Sequence, residues 1–195
     1  MRHSKLLILG VAGILSLNSC GENKKGEETV IPMQNDSRKM GDDHEMHAAE
    51  GENLDDGAQS GNPQFPDETI ANVYEHYMHV KSALVNSNSS EAANGAEMLV
   101  ETLQNSEAND EVLNAAQQIA QADELNAQRT AFSDLSAGVE EMIAGQLESG
   151  EIYKQYCPMA FEGQGGYWLS SSEEIRNPYY GDKMLKCGSV RETIQ

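Results

Sequence analysis

Between Asp67 and Leu147, apolar side chains return every three or four residues in four successive stretches, a spacing that places them on one face of a helix and on no single face of a strand. The first stretch follows an acidic start at Asp67 and presents Ile70, Val73, Tyr74, Tyr77, Val80 and Leu84. Asn86-Ser87-Asn88-Ser89-Ser90 interrupts it, and Ser90 reads as the cap of a second helix carrying Ala92, Ala96, Leu99, Val100 and Leu103. A third runs from Asn109 to Ala122, with Val112, Leu113, Ala116, Ile119 and Ala120 as candidates for burial. The fourth offers Leu125, Phe132, Leu135, Val139, Met142 and Leu147 between polar positions. Stripes of this kind must cover one another. Alanines allow close approach and short polar connections favour reversal, so the expected fold class is all-α: an antiparallel helical bundle of three to four helices, with the segment after Gly150 packed on it.

That last segment differs in composition from everything before it. Residues 151–195 hold 7 of the 11 aromatic side chains, the single tryptophan and two of the three cysteines, with 6 acids against 5 bases. Residues 67–150 carry 15 acids and 2 bases, and the whole chain has a formal net charge of -19. A surface so acidic argues against nucleic acid and anionic lipid as partners recognised by charge. Glycine and proline at Pro158, Gly163, Gly165, Gly166, Pro178, Gly181 and Gly188 exclude one long helix here.

At the other end, Arg2, His3 and Lys5 precede the apolar run Leu6 to Leu17, too short to span a bilayer and of the length of a signal-peptide core. Leu17-Asn18-Ser19-Cys20-Gly21 then resembles a bacterial lipobox, in which Cys20 is acylated and becomes the new N-terminus. The expectation is a lipoprotein signal peptide over residues 1–19 and a protein held to a lipid bilayer through Cys20, in the bacterial cell envelope, facing the periplasm or the surface. The competing reading is an ordinary signal peptide with an incidental cysteine. Residues 20–66 are rich in Glu, Asp, Gly, Asn, Ser and Lys without apolar periodicity, and read as a disordered acidic tether. Residues 67–195 then form the folded domain.

Metal-ligating residue types occur in three places. Cys157 and Met159 lie two positions apart, and Met184 and Cys187 three, so each half of the C-terminal segment supplies one thiol and one thioether. Soft sulfur selects Cu(I) or Ag(I) over hard cations, and the two pairs together would make a site of two to four sulfurs. His44, Met46 and His47 in the tether form an accessory capture site, against the plainer reading of a solvated polar stretch. His76 and His79, three apart on the first helix, point to a metal only weakly, since no third ligand accompanies them. The rival to a sulfur metal site is a Cys157–Cys187 disulfide, as an oxidising compartment favours, with the methionines as core filler. Asp123, Gln128 and Arg129 at the third-to-fourth helix junction read as an internal ion pair or cap in preference to a substrate contact. No nucleophile elbow, His-Glu-x-x-His or phosphate loop is present, and the chain is expected not to be an enzyme.

Tyr156-Cys157-Pro158-Met159, Trp168-Leu169-Ser170, Asn177-Pro178-Tyr179-Tyr180-Gly181 and Met184-Leu185-Lys186-Cys187-Gly188 occur in that order. With Val80-Lys81, Asp123, Gln128-Arg129 and Phe132 upstream, they resemble an uncharacterised family, a domain of unknown function found in bacterial envelope lipoproteins. The same domain occurs fused to CusB-type heavy-metal efflux adaptors. The resemblance implies a helical domain over about residues 67–195 and heavy-metal efflux components as partners. Two functions from different classes follow: a membrane-anchored copper or silver binding lipoprotein that buffers or hands off the ion, or a disulfide-stapled, non-catalytic interaction domain.

Overall fold

In a computed structural model, which describes residues 61–104 and 110–195, the stripes form four long helices: α1 Glu68–Val85, α2 Ser89–Gln104, α3 Asp110–Gln121 and α4 Leu125–Ile143. The Asp67 carboxylate accepts from the Ile70 N–H at 3.1 Å and starts α1. Ser87, at φ 55, ends it by turning its N–H back to the Leu84 carbonyl. The cap of α2 is Asn88 rather than Ser90: its side-chain oxygen accepts from the Glu91 N–H at 3.1 Å, and the helix begins two positions earlier than the sequence suggested.

Val73, Tyr77, Val80 and Leu84 of α1, Ala92, Ala96, Leu99 and Leu103 of α2, Val112, Ala116 and Ile119 of α3, and Phe132, Leu135 and Val139 of α4 make one core. Each large apolar side chain so buried contributes about 1.5–3 kcal/mol, which is what holds helices of only three to five turns together. Consecutive helices pack side by side and α1 also meets α4, closing the bundle. Three residues link α1 to α2 and α3 to α4, too few to travel back along a helix, so these pairs run antiparallel.

The all-α expectation is corrected after Gly150. β1 Ile152–Cys157, β2 Gly166–Ser170 and β3 Ser189–Ile194 form an antiparallel sheet in the order β2-β1-β3. Tyr156 faces Tyr167 and Cys157 faces Gly166 across β1 and β2, while Tyr156 faces Ser189 across β1 and β3. Aromatic and β-branched residues suit a pleated surface packed on one side, and the glycines that exclude a long helix permit the hairpin instead. The β1–β2 turn places Phe161, Glu162 and Gly163 at φ 51, 58 and 88.

The bundle receives the sheet along the edge of β2. The Leu169 N–H donates to the Tyr77 hydroxyl at 2.9 Å, and the Ser136 hydroxyl donates to the Phe132 carbonyl at 2.8 Å. With each hydroxyl owning a single proton, Tyr77 must then donate to Ser136, 2.9 Å away. Burial raises the Tyr77 pKa well above the ordinary value, so this donor persists. A strand edge that would otherwise stay open is thus satisfied from α1. Lys81, fully buried, donates to the Ser170 hydroxyl at 3.2 Å on the same strand. Ahead of α1, the Gly61 N–H donates to Ser171 O and the Gln64 N–H to Ser149 O, at 2.8 and 2.9 Å.

Candidate functional site

β1 ends at Cys157 because Pro158 follows: proline lacks the N–H that a ladder needs and holds the preceding residue extended. Cys187 lies just before β3, and the pairing of Tyr156 with Ser189 brings it beside the end of β1. Gly188, at φ 151, makes this approach possible, since a Cβ there would stand 2.9 Å from Trp168 Cη2 and 3.1 Å from the Tyr156 carbonyl. The two sulfur atoms are 2.8 Å apart, Cys157 fully buried and Cys187 partly so. The Cys187 pKa is raised, first by the hydrogen bond with Cys157 and then by burial, while a backbone hydrogen bond from Met159 opposes the shift.

Met159 and Met184 belong to the same patch of backbone. Met159 bonds to the Cys187 sulfur through its main chain, and the Met184 carbonyl accepts from the Cys187 N–H at 3.0 Å. Neither is core filler: Met159 is 52% exposed and Met184 37%. The structure therefore brings the two thiols into contact and leaves both methionines exposed, each joined to Cys187 through its main chain.

The loop Asn177–Gly181 runs between the halves. The Asn177 side chain is fully buried, donating to the Cys187 carbonyl at 2.7 Å and accepting from the Tyr179 N–H at 2.8 Å. The Tyr180 hydroxyl donates to the Met159 carbonyl, and the Tyr179 hydroxyl to that of Tyr167. From α4, Arg129 donates to the Pro178 carbonyl at 2.9 Å, the Leu84 carbonyl at 3.2 Å and the Ser87 hydroxyl at 3.1 Å. Of the two roles the sequence left open for Arg129, these contacts realise the cap. Burial lowers its pKa, yet a guanidinium stays charged. Gln128 does the same for its neighbours, donating to the Ser89 and Ala122 carbonyls at 2.9 and 3.1 Å.

Residues 73–150 match the model of a family described as Protein of unknown function (DUF3347). No curated protein and no solved structure matches the chain. The matched stretch takes in most of α1 and all of α2, α3 and α4, so the similarity to that uncharacterised family lies on the bundle, and the match stops before Cys157, Trp168, Asn177 and Cys187.

The other predicted ligands are not drawn to the thiols. His79 Nε2 sits 3.2 Å from Glu91 Oε2, tying α1 to α2. The His76 pKa is lowered, chiefly by burial. Among the described residues no three His, Cys, Asp or Glu side chains gather at one point. His44, Met46, His47 and the acylation candidate Cys20 lie outside the described residues. Among the described residues no helix is long and apolar enough to cross a membrane. One feature the sequence reading missed is a cavity of about 160 Å³ between α4 and β2, lined by Ser133, Ser136, Ala137, Glu140, Lys154 and Tyr167. Small side chains at 133, 136 and 137 on one face of α4 were the signal for it. Lys154 and Glu140, both in its lining, form an ion pair at 2.6 Å.

Proposed function

We propose that this protein is a lipid-anchored, non-catalytic component of the bacterial cell envelope that binds a soft monovalent metal ion, Cu(I) or Ag(I), through Cys157 and Cys187 with Met159 and Met184 flanking. The observation that carries the reading is a thiol pair in contact, flanked by two solvent-exposed methionines whose main chains bond to Cys187. Thiolate and thioether are the donors such ions prefer, and exposed thioethers offer first contact with an ion arriving from solvent. Hand-off to heavy-metal efflux components is the corresponding physiological role, with Cys20 as anchor and His44, Met46 and His47 as accessory capture groups.

The sulfur separation also favours a second reading, a disulfide staple in an interaction domain. At 2.8 Å the atoms stand between the roughly 2.05 Å of a disulfide bond and the ~3.8 Å they would take as tetrahedral ligands about 2.3 Å from one ion. One preparation tests both. The chain from Gly21 onward, free of lipid and of Cys20, is assayed for thiols before reduction, then reduced anaerobically and titrated with Cu(I) against a chromophoric chelator. The metal reading expects affinity to fall at least about tenfold in Cys157→Ser and Cys187→Ser and by less in Met184→Leu, as graded loss of ligands requires. Weak binding, unchanged in all three variants, with no free thiol before reduction, would leave the staple.

A further inference from the structure

We propose that the Asn177–Gly181 loop is a clasp that registers the two halves of the sulfur site, with Asn177 and Tyr180 as its positioning residues. The halves are thirty residues apart in the chain; the β1–β3 pairing brings Cys187 beside the end of β1, and the position of each half within that pairing needs contacts of its own. One loop touches both. Asn177 grips the Cys187 side twice, through its side chain to the Cys187 carbonyl at 2.7 Å and through its own N–H to the Leu185 carbonyl at 2.9 Å. Tyr180, three residues on, grips the Cys157 side through the Met159 carbonyl.

The clasp is itself fixed. Tyr179 N–H to Asn177 Oδ1 at 2.8 Å and Gly181 N–H to Asn177 O at 3.0 Å close it into a turn. Arg129 then ties Pro178 to α4 and to the end of α1. Gly181, at φ 57, admits no side chain: a Cβ would lie 2.4 Å from Ser87 Oγ and 2.9 Å from the Val85 carbonyl, so the loop seats directly on the α1 terminus. Every one of these bonds is made to backbone or from buried groups and none involves sulfur. The register of the thiols therefore exists before any S–S or S–metal bond forms, which is the meaning of a preorganised site.

The proposal rests on the metal reading only for what the site binds; the approach of the thiols can be measured without metal. The chain from Gly21 onward is equilibrated with reduced and oxidised glutathione. Closure takes the two protein thiols and one oxidised glutathione to one protein disulfide and two reduced glutathiones, the two electrons and two protons passing to the glutathione. The exchange constant is expected to fall at least about tenfold in Asn177→Asp, which keeps the acceptor for Tyr179 and loses the donor to Cys187, and about threefold in Tyr180→Phe, since holding two thiols together is an effective concentration. A contribution to general stability would destabilise the reduced and oxidised forms alike and leave that constant where it was. Constants within twofold of the parent in both variants overturn the clasp. Tyr180→Phe removes only an exposed hydroxyl bond, so it keeps the test open if Asn177→Asp does not fold. The same proteins titrated with Cu(I) separate the two ideas: a parent that binds no copper ends the metal reading, while the glutathione constants still decide the clasp.

Discussion

Cys187 holds its proton for a reason that can be removed. Its thiol pKa is raised first by the hydrogen bond with Cys157, then by burial and by the nearby Cys157 charge. Metal binding requires the thiolate, so affinity for Cu(I) should climb with pH across the range where an unperturbed thiol would already have ionised. Alkylation follows the same coordinate. The rate of reaction of Cys187 with iodoacetamide, read by mass spectrometry, is predicted to keep increasing past pH 9.0, the ordinary value for this group, and in Cys157→Ser the inflection should move down. An inflection unmoved by that substitution would mean that burial alone sets the shift. The linkage has a definite sign: a folded pKa above the unfolded one contributes stability below the unfolded pKa, and that contribution disappears as pH rises through the folded value.

Arg129 joins three elements that share no sequence signal: the end of α1, its own helix and the turn before Cys187. Lysine in its place retains a charge and one reach, but not the fork that serves Pro178 and Leu84 together. Arg129→Lys is therefore expected to cost about 2–4 kcal/mol in urea unfolding, from carbonyls left without their charged donor; a loss under about 0.5 kcal/mol, the size of an ordinary surface change, would refute the joint. The same residue shows what was legible in the chain and what was not. Helices α1 to α4 could be read because Val73, Tyr77, Leu99, Ile119, Phe132 and Val139 repeat at helical spacing, and that repeat is itself the cause of burial. The strands could not. Ser189 to Ile194 is exposed along almost its whole length, so no inward face writes an alternation into the sequence, and its pairing is decided by β1. The cysteines were readable as reactive types, whereas Asn177 and Tyr180 act on backbone carbonyls, acceptors that every residue has and that no side-chain pattern marks.

At the scale of the molecule, charge and chemistry are separated. The acids crowd the bundle, while the C-terminal segment, with 6 acids and 5 bases, joins a nearly neutral sheet to it through buried rings. Tyr77 stacks on Phe132 at 5.1 Å, Phe132 meets Tyr179 at 6.1 Å, and Tyr179 meets Trp168 at 5.8 Å, so the core is continuous from α1 to the strand beside Cys157. The chain ahead of α1 adds a second connection. Gly61 and Gln64 each make paired backbone bonds, with Ser171 and Glu151 and with Ser149 and Glu148, and Phe65 packs against Tyr74 at 5.5 Å. Composition alone assigned these residues to a tether, because Gly61-Asn62-Pro63-Gln64 has no apolar period; their order comes instead from main-chain partners at 148–151 and 171. A chain beginning at Asp67 gives up these bonds and the ring contact, and is predicted to be about 2–4 kcal/mol less stable than one beginning at Gly61. Urea unfolding of the two, both reduced, measures the difference. Because the lost segment leans on Glu151, just before β1, and Ser171, just after β2, the glutathione constant of the Cys157–Cys187 pair should weaken with it. Equal stabilities would show that the segment lies on the domain without supporting it; a stability loss with an unchanged constant would confine its support to the bundle end of the sheet.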